Sequence, residues 1–444
     1  MKKNIFAIFT ICIFSLSCSR NPVTGKKEFV LMTESQEIEL GRENYGPMIQ
    51  QFNAVYQQDE INNYVSSVGQ HLSEVSHRPQ LPYEFTVVNS SVLNAFALPG
   101  GKICITRGLL SKMKNESELA AVLGHEIGHV TAKHTAKRYT SGMIWQVLLG
   151  ATDFVLSRQS SPGRGYQKYR GLYTTAAYLG LGIGFASYGR SQETQSDDLG
   201  QEYMVAAGYN PEGMVKLQGI LLEAQKTQPN FISDLFASHP HSKNRVERST
   251  QNIKEKYQDD IDSKKLILNT KKFSQTVVAK LDKEKPAYEK YDRATEYASN
   301  NNFRSAIALY REALTLKPTE ALFYADLGFA YMKLYEDDKA EEEFNKSLEL
   351  HPSFFKAQFF MGQLNYESHN YGKAMRYLEE ADRLIPKIPF VRYMLAYTYE
   401  TTGRFHEAVS LYRQIVETYP DQEIGQKSRK RLQILAPPGR LVQP

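Results

Sequence analysis

At 444 residues the chain is long enough for two or three domains, and 41% hydrophobic with 11% aromatic content supplies real cores. A net charge of +5 is small for that length, and no basic cluster interleaved with aromatics stands out, so nucleic acid is set aside as a partner. Of the three cysteines, Cys12 and Cys18 lie at the N-terminus and only Cys104 remains. That count leaves no intramolecular disulfide and no multi-thiolate zinc site, so any zinc must rely on His and carboxylate.

Residues 1–18 read as a targeting segment outside the fold. Lys2 and Lys3 form a charged start, and Ile5 to Leu16 form an apolar run too short to span a membrane. The run ends at Ser17-Cys18-Ser19, which resembles a bacterial lipoprotein signal with Cys18 as the lipidated first residue. Ser15 stands where such signals usually place leucine. An ordinary cleaved signal peptide with an incidental cysteine is the other reading.

Residues 19–32 are an extended leader with turn residues at Asn21-Pro22 and Gly25. Thr33 or Ser35 caps a helix with Glu37 among its early residues. Apolar periodicity continues to Val75, with a break or kink expected at Gly46-Pro47. Tyr83–Val88 alternates and is rich in β-formers, so it reads as a strand. Asn94-Ala95-Phe96-Ala97 leads through a Pro99-Gly100-Gly101 turn into Lys102–Thr106, a hairpin-like strand pair whose proline places it at an edge. An edge strand can accept an extended peptide by main-chain hydrogen bonds. A small structural sheet is the bland alternative.

Glu116-Ser117-Glu118 opens a helix that contains His125-Glu126-Ile127-Gly128-His129. Four-residue spacing puts both imidazoles on one helix face, where they can share a zinc ion. Glu126 projects toward the same metal without ligating it and can take a proton from a water there. The flanks are apolar, so three ionisable groups lie on a buried helix, which demands a partner for them. Met143–Leu156 is an apolar helix, and 157–171 a polar loop. Leu172–Gly189 is uncharged but carries four glycines, so it reads as a buried or membrane-grazing helix rather than a span. Glu193 then completes two His and one Glu, a catalytic zinc set with an open fourth position. Asp197, one turn on, can receive the free N–H of a ligand histidine. A solvated acidic face is the alternative. His239-Pro240-His241 with Arg245 can supply an extra ligand or an oxyanion stabiliser, or be a plain loop.

Asn21–Gly25, Asn94–Gly101, His125–His129 with His134, Glu193 through Asp197 to Gly200, and Ser238-His239-Pro240 with Arg245 occur in this order. Together they resemble the HtpX/CAAX-protease-like zinc metallopeptidases, above all the exported BepA-like branch with a C-terminal repeat domain. The resemblance implies one zinc ion per subunit on His125, His129 and Glu193, with Glu126 as general base. It also implies that His239 can occupy the fourth zinc position and quiet the enzyme, and that Arg245 lies near the site. Gln195-Ser196-Asp197 departs from the family's usual Glu-Ala-Asp, with the Asp kept.

Pro318, Pro352, Pro386 and Pro420 recur every 34 residues, and Ala306, Ala340, Ala374 and Ala408 recur twelve before each. This period resembles tetratricopeptide repeats, which present a concave protein-binding surface. The expected fold is mainly α: a zincin-like α+β domain with a small sheet at 19–255, a charged connection at 256–286, and an α-solenoid at 287–436 ending in a basic capping helix. The expected function is a zinc-dependent endopeptidase, and the family resemblance implies misfolded or misassembled envelope proteins as its substrates. It would be lipid-anchored through Cys18 in the bacterial envelope, on the periplasmic side of the outer membrane, and its repeats would recruit substrate or an assembly partner. A repeat-scaffold chaperone or adaptor with a latent metal site, and an integral membrane protease spanning at 172–189, are the competing readings.

Overall fold

A computed structural model of the protein describes residues 18–30, 32–137, 188–227, 239, 243–263 and 265–435. The targeting segment before Cys18, the helix and loop expected at 143–171, and all but the last two residues of the 172–189 run lie outside the described residues. Within them, no helix is long and apolar enough to cross a membrane. The chain is mainly helical with small sheets. It divides into two compact units, with the later boundary at Asp282–Lys283.

In the first unit, β1 (Cys18–Arg20) pairs antiparallel with β2 (Lys27–Phe29). The Asn21 side chain closes the turn between them, accepting from the Val23 and Thr24 amides and donating to the Ala132 carbonyl at 3.3 Å. Helix α1 (Glu34–Gln51) starts from a capping box: Thr33 accepts from the Gln36 amide, and the Gln36 side chain accepts from the Thr33 amide. The break expected at Gly46-Pro47 does not occur. The helix runs through Pro47, where one backbone hydrogen bond is lost, and burial of Met48 on the next residue offsets that loss. It ends instead before Asn53 and Ala54, whose φ values are 65° and 67°.

Helix α2 (Asp59–Glu74) buries Ile61, Val65, Val68 and Leu72 beside the sheet. That sheet has the order β3-β5-β4. β3 (Glu84–Val88) runs parallel to β5 (Lys102–Thr106), and β4 (Ala95–Leu98) runs antiparallel to it. β4 is therefore an outer strand. The β4–β5 turn uses Gly100 and Gly101 at φ 74° and 90°, and a Cβ on Gly100 would meet the Ile38 backbone at 2.6 Å. Side chains would be strained there and would push α1 away.

Helix α3 (Glu116–Thr131) is buried along its whole length. Asn115 caps it by accepting from the Glu118 amide, and Glu118 reaches back to the Lys114 amide. Helix α4 (Arg190–Ala206) packs on α3 at small residues. A Cβ on Gly124 would lie 3.1 Å from the Gly200 carbonyl, and one on Gly200 would lie 3.0 Å from the His125 amide. These contacts let the two backbones approach closely. Helices α5 (Glu212–Thr227) and α6 (Lys243–Asn252) complete the surround of α3 and α4. The charged stretch beyond α6 is built into this unit: Phe273 and Val277 are fully buried, and Ile267 bridges Tyr209.

The second unit is a series of paired helices. After α7 (Ala279–Ser299) come α8 (Phe303–Leu316), α9 (Ala321–Lys333), α10 (Asp337–Leu350) and α11 (Phe355–Glu367). Then follow α12 (Tyr371–Leu384), α13 (Pro389–Thr401), α14 (Phe405–Thr418) and the capping α15 (Glu423–Leu435). The repeated alanines 306, 340, 374 and 408 are all fully buried. A Cβ on Gly328 would strike the Phe344 ring at 2.6 Å, and one on Gly362 would strike Leu378 at 2.8 Å. The small residues thus sit where helices of a pair touch, and each repeated proline lies two residues past a helix end.

Candidate metal centre

Packing of α4 on α3 brings Glu193 and Asp197 against His125 and His129. His129 Nε2 lies 3.0 Å from His125 Nε2 and 3.3 Å from Glu193 Oε1. His239 Nδ1 joins them, 3.0 Å from Glu193 Oε1 and 3.5 Å from His125 Nε2. Four tetrahedral ligands at zinc–ligand distances of about 2.0–2.1 Å stand ~3.3 Å apart. One atom from each of His125, His129, Glu193 and His239 falls within 4.8 Å of the others, and all four residues are buried. Imidazole nitrogens that converge on one another and on a carboxylate, out of water, form a donor set suited to a cation. The groups present therefore fit a zinc ion.

Charge partners stand behind the ligands. Asp197 Oδ1 is 2.9 Å from His125 Nδ1. Arg245 grips the same carboxylate, Nε to Oδ2 at 2.6 Å and Nη2 to Oδ1 at 2.7 Å, and places Nη1 2.7 Å from Glu193 Oε2. Burial alone would raise the Asp197 carboxyl; the Arg245 charge and its hydrogen bonds overcome that and hold it below its ordinary value. Glu193 behaves alike: burial opposes ionisation, but the His239 charge and bonds from His129 and His239 hold it well down. Burial drives the His129 imidazole well below its ordinary range, toward the neutral form that ligates. It also pushes His134 down to about 4.

Glu126 sits beside this cluster, 2% exposed, with Oε1 3.9 Å from His239 Nε2. Its Oε2 is buried with no hydrogen-bond partner among the described residues, and burial raises its carboxyl above the ordinary range despite His239 and His125. A cavity at this point is lined by Ala95 of β4, by Leu109, Val122, Met214, Leu217 and Leu221, and by His125, Glu126, Asp197, His239 and Arg245. Asn94, just before β4, is fully buried, and neither atom of its side-chain amide has a partner among the described residues.

Of the residues read from sequence, His125, Glu126, His129, Glu193, Asp197, His239 and Arg245 gather at one place with Ala95 of β4, while Asn94, Phe96 and Ala97 are buried at or in that strand. Cys18 lies in β1, outside this cluster. Sequence reading did not find the clamp around His129. Tyr188 stacks on its ring with centroids 3.8 Å apart, and His134 Nδ1 lies 3.0 Å from its Nδ1. Nor did it find Arg78, which is 1% exposed and ties Glu34 and Glu37 of α1 to the Val130 carbonyl at the end of α3.

Residues 59–253 match peptidase family M48, and residues 289–334 and 390–421 match tetratricopeptide repeats. The chain is similar to the beta-barrel assembly-enhancing protease of Escherichia coli (strain K12), 24% identical over 259 residues that cover 55% of this chain and 51% of that protein. It is also similar to the mitochondrial metalloendopeptidase OMA1 of Arabidopsis thaliana, 31% identical over 170 residues, 38% of this chain and 31% of that one. The chain thus spans about half or less of the length of these relatives. Among solved structures, a MamA RS-1 double mutant aligns at 19% identity and a TM-score of 0.31, covering 35% of this chain and 83% of that one.

Proposed function

We propose that this chain, which carries a peptidase family M48 domain followed by tetratricopeptide repeats, is a zinc-dependent endopeptidase that cleaves misfolded or misassembled proteins of the bacterial cell envelope. The observation that carries the proposal is the convergence of His125, His129 and Glu193 on one point, with a Glu126 carboxylate oxygen beside it that has no partner among the described residues. The envelope role draws on the name of the bacterial relative, a beta-barrel assembly-enhancing protease. A lipid anchor at Cys18 and recruitment of substrate or an assembly partner by the repeat array belong to the same proposal.

A zinc ion on His125, His129 and Glu193 supplies Lewis-acid polarisation of a peptide carbonyl and of a water when bound. Glu126 takes the water's proton and delivers it to the leaving amine. A substrate segment adds to the outer strand β4, whose Ala95 lines the cavity beside Glu126. His239, whose Nδ1 is 3.0 Å from Glu193 Oε1, would act as a fourth donor to the metal and would have to withdraw for a substrate to enter. Arg245 has Nε, Nη1 and Nη2 on two carboxylates, so we assign it to holding Asp197 and Glu193 rather than to contacting an oxyanion.

Glu126→Gln tests the proposal against an unfolded envelope protein as substrate. Loss of cleavage with zinc retained supports it, and unchanged cleavage overturns it. The placement of His239 in the ligand set also suits the second reading, a repeat-scaffold adaptor with a closed, latent metal site. That reading expects partner binding and no cleavage from any variant.

A further inference from the structure

His134 is 1% exposed, and the reaction outlined above leaves it without a task. It lies five residues beyond His129, past the end of α3. Its Nδ1 is 3.0 Å from His129 Nδ1, and its Nε2 is 3.1 Å from Gln195 Oε1. We propose that His134 is a positioning residue that holds His129 for the metal, as the middle member of a hydrogen-bonded line from His129 through His134 to Gln195. The inference rests on the reading of His129 as a ligand.

The proton positions follow from the two ends of the line. An imidazole that binds a cation through Nε2 carries its proton on Nδ1, so His129 Nδ1 donates. His134 Nδ1 must then accept, which puts the His134 proton on Nε2. That atom faces an amide oxygen, which only accepts. Each bond therefore requires the next, and the set permits one tautomer of each ring. The opposite arrangement would place a proton on His129 Nε2 and block ligation. Ser196 Oγ makes a longer approach of 3.3 Å to the same His134 nitrogen. Tyr188 covers the face of His129, with an interplanar angle of 27°, and limits rotation of the ring.

The two ligand histidines are thus supported differently. His125 leans on a carboxylate, Asp197, whose charge Arg245 balances. His129 leans on a neutral pair. Glu126, Glu193 and Asp197 already bring three buried carboxyl groups to this place. A fourth behind His129 would add a buried negative charge. His134 and Gln195 supply an acceptor without one. Gln195 stands two residues from Glu193, so the line closes back on the helix that carries another ligand.

Zinc affinity of the full chain, read by competition with a chromophoric chelator, tests this. His134→Ala is expected to weaken zinc binding by about 10–100-fold. His134→Gln is expected to restore most of it, because its amide oxygen can accept from His129 while its amide nitrogen donates to Gln195. The visible spectrum of the cobalt-loaded protein should shift in His134→Ala and return toward wild type in His134→Gln. Gln195→Leu, at a half-buried position, should shift both readouts in the same direction by less. The inference is overturned if His134→Ala, with unchanged far-UV circular dichroism, binds zinc as tightly as wild type. It is also overturned if His134→Gln binds as poorly as His134→Ala. A His129→Ala control that binds zinc like wild type would instead overturn the ligand assignment itself.

Discussion

Asp197 Oδ1 lies 2.9 Å from His125 Nδ1 and, on the same oxygen, 2.7 Å from Arg245 Nη2. One carboxylate therefore orients a ligand imidazole on one side and is itself held by a guanidinium on the other. Such outer partners fix ring orientation and raise ligand basicity. Asp197→Ala should lower zinc affinity by about 10–100-fold while the helices remain folded. Chelator competition measures the first and circular dichroism the second. Unchanged affinity would remove Asp197 from the site.

Gly200 sets how closely that carboxylate approaches. Alanine there would bring its Cβ 2.8 Å from Met214 and 3.0 Å from the His125 amide. Gly200→Ala should cost about 1–3 kcal/mol by overpacking. It should also weaken zinc binding, because α4 moves off α3. Urea unfolding of the metal-free protein, beside a zinc titration, reads both.

Much of the centre was legible from spacing. Two histidines four apart with an intervening glutamate state their chemistry within one helix turn. Glu193 was legible only as a candidate, because its place depends on glycine-to-glycine packing of α4 on α3, which no periodicity in either segment reports. The continuous helix through Pro47 ran against local preference, with Met48 buried on the next residue against one lost backbone bond. His134 stood in the motif with no role, because its partners Gln195 and Ser196 lie sixty residues away in sequence. The repeat array was the plainest feature, as its period of 34 residues places a fully buried alanine in every unit.

Arg78 anchors the first turn of α1 to the end of α3 and supports the metal helix from outside. Its Nη1 is 2.8 Å from Glu37 Oε2 and 3.1 Å from the Val130 carbonyl. Arg78→Met should destabilise the first unit by about 3–5 kcal/mol, since it leaves a buried carboxylate without one of its cations. The hydrogen bond from Arg78 lowers the Glu34 carboxyl from its ordinary 4.5. A lowered folded value means the unfolded chain binds more protons, so this contribution is present above pH 4.5 and lost as pH falls through the folded value. Glu34→Gln should flatten that acid limb in urea melts taken from pH 6 downward.

His239 Nδ1 stands 3.0 Å from Glu193 Oε1, and on the proposed reading it closes the fourth position of the metal. Exchange at that position taxes activity by the fraction of time it is closed. His239→Ala should therefore speed cleavage of an unfolded substrate at unchanged zinc content. Slower cleavage at full zinc occupancy would assign His239 to the reaction itself instead of to a gate.

The most direct test of the account is zinc titration of chelator-stripped protein while cleavage of an unfolded envelope protein is followed. Cleavage should be absent in the stripped protein, rise in proportion to added zinc and saturate at one zinc per chain. It should stay absent in Glu126→Gln at the same occupancy. Full-rate cleavage by stripped, zinc-free protein would contradict the account.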